Sequence, residues 1–203
     1  MSMKQLLAVL MLLSLTLPAS GALADLHGAA GGPMRKETVQ DVPNAESIRR
    51  MLQQFDVAKL SLAEAIEIAE RLHDGSRAAA AAFESSDAAG YRIITVKHGQ
   101  AWENLIDANT GRVIGPEMAS SLDQFADDER SNIVALRSVV QELTDAVHVA
   151  EKAASGKAFG VGLMRDEGKL SFFVVVLSDG EFKEVRLEPP KAGRKGSSRY
   201  RLR

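Results

Sequence analysis

The chain has 203 residues, with 25 basic and 27 acidic side chains, a formal charge of −2, and no cysteine. No disulfide framework, thiolate chemistry or lipid-modified cysteine is therefore available. Six basic residues and no acid lie beyond Pro190: Lys191, Arg194, Lys195, Arg199, Arg201 and Arg203. The body before them is acidic and would repel phosphates, so nucleic acid is not the implied partner.

Residues 1–24 read as a cleaved signal peptide. Lys4 gives a positive start, LLAVLMLLSLTL an apolar stretch, and Ala22-Leu23-Ala24 a cleavage site. The apolar stretch is short for a membrane span and ends in Pro18 and Gly21. The expected location is periplasmic or secreted. Residues 25–56 come next as a leader, HGAAGGP included, and a short helix. In that helix Ile48, Met51, Leu52 and Phe55 fall at helical spacing, and its expected role is to cap the first of two repeats.

From Leu62 the sequence runs through a helix, a hairpin and a turn, and then says much the same thing 81 residues later. Leu62, Ala65, Ala69, Glu70, Gly75, Gly99 and Glu103 recur as Leu143, Ala146, Ala150, Glu151, Gly156, Gly180 and Glu184. Tyr91 recurs as Phe172 and Ile94 as Val175. A period this long implies a duplication. The expected division is one unit at 57–115, an acidic linker at 116–137, a second unit at 138–193, and a disordered basic tail at 194–203.

Ser61 and Glu64 form a capping box at the start of the first helix. Leu62, Ala65, Ile66, Ala69 and Leu72 mark its buried face, and Gly75 stops it. Thr144 and Asp145 open the second helix and Gly156 ends it. Ala78–Glu84 reads as a strand, against alanine's preference for helix, because its counterpart KAFGVGLM is strand-like. Tyr91–Val96 and Trp102–Asp107 pair around His98-Gly99. Leu170–Leu177 and Phe182–Glu188 pair around Asp179-Gly180. Ile133, Leu136, Val139 and Val140 extend the second helix backwards.

The helix pattern Leu62, Ala65, Ala69, Glu70 and the closing turn Asp107-Ala108-Asn109-Thr110-Gly111 resemble the PepSY domain of peptidase propeptides and bacterial envelope proteins. The second unit keeps the helix pattern but ends in Glu188-Pro189-Pro190-Lys191. The resemblance implies an α+β fold of two tandem units, each a helix packed on a small antiparallel sheet. It also implies restraint or assistance of a peptidase, or envelope regulation, by binding, with no catalytic residue.

The residues themselves offer no catalytic constellation, metal site or cofactor site. His27, His73, His98 and His148 have no metal-pair spacing; His73 suits a helix C-terminus. Asp107 and Asn109 suit a self-bonded turn better than a calcium loop. Glu70 and Glu151 read as solvated helix ends rather than as acids or bases. Trp102 and Tyr91 are the candidate partner contacts, with core packing as the plainer reading of Trp102. The expected partner is a protein, with a secreted peptidase as the candidate; the oligomeric state is open. The basic tail either solubilises the chain or holds it at anionic lipid.

Overall fold

A computed structural model describes residues 45–85, 88–166, 168–189 and 200–202. The signal-peptide and leader assignments for residues 1–44 lie outside these, as does most of the basic tail. The described chain is α+β. Helix α1 (Ala45–Asp56) and helix α2 (Leu62–Leu72) precede strands β1 (Arg77–Ser85), β2 (Ala89–Lys97), β3 (Gln100–Asp107) and β4 (Val113–Ser121). Helices α3 (Asp127–Leu136) and α4 (Leu143–Ala154) precede β5 (Lys157–Asp166), β6 (Lys169–Ser178), β7 (Glu181–Leu187) and β8 (Tyr200–Leu202). All eight strands join one antiparallel sheet in the order β4-β3-β2-β1-β5-β6-β7-β8. The sequence leads one to expect two small sheets. They fuse side by side because β1 pairs with β5 through Ala81–Val161 and Ala82–Gly160.

Several expectations hold in detail. Ser61 N donates to Glu64 Oε2 (2.8 Å) and Glu64 N to Ser61 Oγ (3.2 Å), closing the capping box. Ala78–Glu84 lies within β1, where burial of an alanine row against a helix outweighs helix propensity. His98-Gly99 and Asp179-Gly180 both have positive φ at each residue, the geometry that suits a two-residue hairpin to the strands' twist.

Other expectations are corrected. The linker is structured: residues 116–121 belong to β4 and 127–136 to α3. Residues 133–140 do not extend the second helix backwards, because the chain leaves α3 at Leu136 and α4 begins only at Leu143. Residues 200–202 of the tail are a strand beside β7, not disordered. Gly156 is not the left-handed terminator of α4. Ser155 takes that role at φ 53°, as Gly75 does at φ 73° after α2. A Cβ on Gly156 would lie 2.3 Å from the carbonyl oxygen of Leu177, so closeness to β6 demands that glycine. Glu70 and Glu151 are not solvated helix ends. Glu70 Oε1 accepts from Ala78 N (2.7 Å) and Glu151 Oε1 from Ala158 N (2.9 Å), tying each helix to the first strand after it.

The two halves match in register as well as in order. Thr95 pairs with Ala78 and Val176 with Ala158, so the offset is 81 on one strand and 80 on the other. One residue is lost after the helix and one is regained in the following hairpin, where the pair Ser85–Ala89 of the first half corresponds to Arg165–Leu170 of the second. Both first strands carry a bulge at the same place, between Ala78 and Ala80 and between Ala158 and Gly160.

Helices α2 and α4 touch each other and cover one sheet face. That face buries Tyr91, Ile93, Ile106, Phe172, Val174, Val176, Val185 and Leu187 almost completely. Phe55 of α1 sits edge-on to both Phe83 and Phe159, each 5.1 Å away, so α1 seals the seam between the halves rather than capping one. Two cations cross that seam in opposite directions. Arg77 donates to Glu142 Oε2 (2.9 Å) and to the carbonyls of Leu136, Val139 and Gln141, holding the α3–α4 connection. Lys157 donates to the carbonyls of Phe55 (3.1 Å) and Ala58 (2.9 Å), holding the α1–α2 connection.

The buried face has one polar fault. Thr95 Oγ1 and both amide atoms of Asn104 are buried with no partner among the described residues. Their counterparts at the offset of 81 are Val176 and Val185, also fully buried. Asn104 is thus an interior residue, not the strand-edge residue its polarity suggests. The double variant Thr95→Val/Asn104→Val is expected to gain about 1–3 kcal/mol, because unpaired buried polar groups are removed. Urea denaturation would show a raised midpoint at unchanged slope. A loss of stability would mean that these groups are satisfied in solution.

Candidate functional site

The sheet face opposite α2 and α4 is only partly covered. Helix α3 lies across its second half and leaves a groove of about 490 Å³. Alternation along the strands brings Ile94, Phe173, Glu184 and Arg186 to this face, because their neighbours Ile93, Val174 and Val185 point into the core. Phe125, just before α3, and Ile133 on α3 form the opposite wall. The floor at the β1–β5 seam is kept low by small residues: Ala79, Ala80 and Gly162. A Cβ on Gly162 would come 2.8 Å from the Phe173 ring, so glycine there lets the ring lie flat across β5.

Polar groups frame this apolar floor. Arg165 donates to Ser131 Oγ (3.2 Å) and to the carbonyls of Ser131 and Gly168. Arg186 donates to Glu184 Oε1 at 2.6 Å. On α3, Glu129 Oε2 and Asn132 Oδ1 are buried and have no partner among the described residues. Burial holds the Glu129 carboxyl above its ordinary range, partly offset by the bond it accepts from the backbone of Ala126. Beyond the groove, Arg92 is clamped between Glu84 (2.6 Å) and Glu103 on the same face. Burial raises the Glu103 carboxyl, against the pull of Arg92.

The two contacts expected from sequence do not lie in this groove. Tyr91 is 0% exposed, and its hydroxyl donates to the carbonyl of Leu60 at 2.7 Å. A side chain with no accessible surface has no face to offer a partner, so Tyr91 is corrected to a core residue. Trp102 is half-buried on the helix-covered side. Its ring stacks on His73 (centroids 4.1 Å apart, planes 15° apart), and His73 Nε2 lies 2.6 Å from Glu117 Oε2. Helix periodicity puts His73 at a helix end, where it is, but gives no sign of the stack, because Glu117 lies where the β3–β4 register shifts, between the pairs Glu103–Met118 and Leu105–Ile114, and leaves no periodic signal. Asp107 accepts from the backbone of Asn109 (2.9 Å) and Thr110 (2.7 Å), the self-bonded turn expected; these bonds hold its carboxyl below the usual range. Among the described residues no group of three His, Cys, Asp or Glu is placed to hold a metal. No described helix is long and apolar enough to cross a membrane.

The groove itself has no signature in the sequence. Its residues come from the supposed linker and from both halves, and none forms a motif. No curated protein matches the chain. Among solved structures, a putative lipoprotein from Clostridium difficile 630 is similar at 18% identity and a TM-score of 0.36, over 70% of this chain and 94% of that one; so distant a likeness carries no argument about function. The family model "Peptidase propeptide and YPEB domain" matches residues 59–116, the stretch that holds α2, β1, β2, β3 and the closing turn. Residues 59–116 of the chain are a PepSY domain.

Proposed function

We propose that this chain is a non-enzymatic, exported binding module that docks on a secreted protein through the groove face and modulates it, a peptidase being the leading partner. The single observation that carries this reading is the groove of about 490 Å³ beside α3, with an apolar floor framed by polar groups, on the sheet face opposite α2 and α4. The PepSY domain supports regulation of a peptidase as the role, and the hydrophobic start of the sequence supports export. The second half acts as a second PepSY-like unit that completes the groove rather than as a separate binding site. Main-chain docking along β4 is disfavoured, because Gly115 and Pro116 interrupt that edge.

The test is affinity capture from an extract of exported proteins with the wild-type chain, with Met164→Glu in the groove wall, and with Trp102→Ala on the other side. The expected result is recovery of a peptidase whose rate changes on adding the chain, with Met164→Glu at least roughly tenfold weaker. Loss of capture in Trp102→Ala alone would move the contact to the His73–Trp102 stack. Recovery of structural envelope proteins only, with no effect on proteolysis, would favour the alternative of a structural or sensory envelope protein held at the membrane by its basic end.

A further inference from the structure

The groove is more selective than its apolar floor alone would make it. Glu129 and Asn132 stand one helical turn apart on α3, so their side chains are neighbours. Both residues line the groove, and each carries an oxygen that is buried and has no donor among the described residues. The lining cations are engaged elsewhere: Arg165 with Ser131 and Gly168, and Arg186 with Glu184. Two unpaired hydrogen-bond acceptors, one of them on a carboxyl group, therefore belong to the residues that border an apolar trough made by Ala79, Ala80, Ile94 and Phe173.

Resting on the reading of the groove as a protein-docking site, we propose that it receives a lysine or arginine side chain from an extended segment of the partner. The methylene stem of such a residue lies along the apolar floor, as long cationic side chains do on hydrophobic surfaces. Its head supplies several donors and no acceptor, which suits two acceptors one turn apart. A carboxylate or phosphate would meet only repulsion from Glu129. A purely apolar side chain would leave both oxygens unpaired, at the cost that unmade buried hydrogen bonds carry. A divalent metal would lack a ligand set, because no three His, Cys, Asp or Glu among the described residues converge on one point.

Three blocked peptides titrated calorimetrically into the full chain test this: acetyl-Val-Leu-Lys-Leu-Val-amide, the same peptide with norleucine for lysine, and the same with glutamate. Norleucine keeps the stem and lacks the ammonium. The lysine peptide is expected to bind at least roughly tenfold tighter than the norleucine peptide, and the glutamate peptide weakest. Glu129→Gln keeps the shape and the bond to Ala126, and should erase most of that advantage. Asn132→Asp adds charge and should widen it several-fold. Thermal melts of both variants identify any that fail to fold, and the peptide series on the wild-type chain stands without them. Equal or tighter binding of the norleucine peptide, or a lysine advantage that survives Glu129→Gln, would overturn the proposal. So would absence of binding by all three peptides. In that last case Met164→Glu still decides the docking function, because its capture experiment needs no cation.

Discussion

Arg77→Met should destabilise the chain by about 2–4 kcal/mol, a large cost for a side chain that reaches the surface. It is 25% exposed, yet its guanidinium holds Glu142 and three backbone carbonyls of the turn between α3 and α4. Met keeps the stem's packing and removes every donor, so the loss measures the hydrogen bonds. Leu136 O, Val139 O and Gln141 O lie at the end of α3 and in the irregular stretch after it, where the helix ladder no longer supplies donors. Lys157→Met, its counterpart across the seam, should cost less, about 1–2 kcal/mol, because it holds two carbonyls rather than three and a carboxylate. Denaturant titrations of both variants check the order. A cost for Arg77→Met below about 0.5 kcal/mol, the ordinary scatter of surface substitutions, would mean that solvent holds the α3–α4 turn as well as the arginine does.

Neither half should fold by itself. Expressed separately, residues 45–125 and 126–203 are each expected to lack a cooperative thermal transition, whereas the whole chain unfolds in one step. Cutting the chain strips β1 of its partner β5, parts α2 from α4, and uncovers Phe55, Phe83 and Phe159 at one seam. Each large side chain that loses full burial costs about 1.5–3 kcal/mol, against a total stability of roughly 5–15 kcal/mol for a domain of this kind. The reciprocal caps of Arg77 and Lys157 vanish as well. Mixing the two pieces should restore a transition, read by near-ultraviolet circular dichroism. Two independent transitions in the intact chain would show that the fused sheet is incidental to stability.

The repeat is legible in the sequence because it is written in local signals. Ser61 with Glu64, the alanines that let helices approach the sheet, and the Asp179-Gly180 turn all act within a few residues of themselves. The strand at Ala78–Glu84 is legible only through its second copy, since alanine alone favours helix. What the sequence hides is long-range. Nothing local says that β1 will pair with β5, that Arg77 will reach into the other half, or that the apparent linker will supply both an edge strand and the helix over the groove. The offset of 81 also hides a compensated pair of single-residue changes, which is why Gly156 aligns with Gly75 although Ser155 does its work. Tyr91 misleads because an aromatic in a hairpin reads the same whether its ring meets a partner or the core. Glu70 and Glu151 mislead because a glutamate beside a basic residue suggests solvent, while a backbone amide one strand away claims it.

Groove docking is tested most directly by mapping where a bound protein touches this chain. Amide hydrogen exchange of the full chain, alone and saturated with the protein it captures, gives that map. Slowed exchange is expected in α3 and in the stretches of β1, β5 and β6 around Ala80, Gly162 and Phe173, with β4 unchanged. Protection confined to β4 and the His73–Trp102 side, with the groove exchanging at its free rate, would contradict docking through the groove.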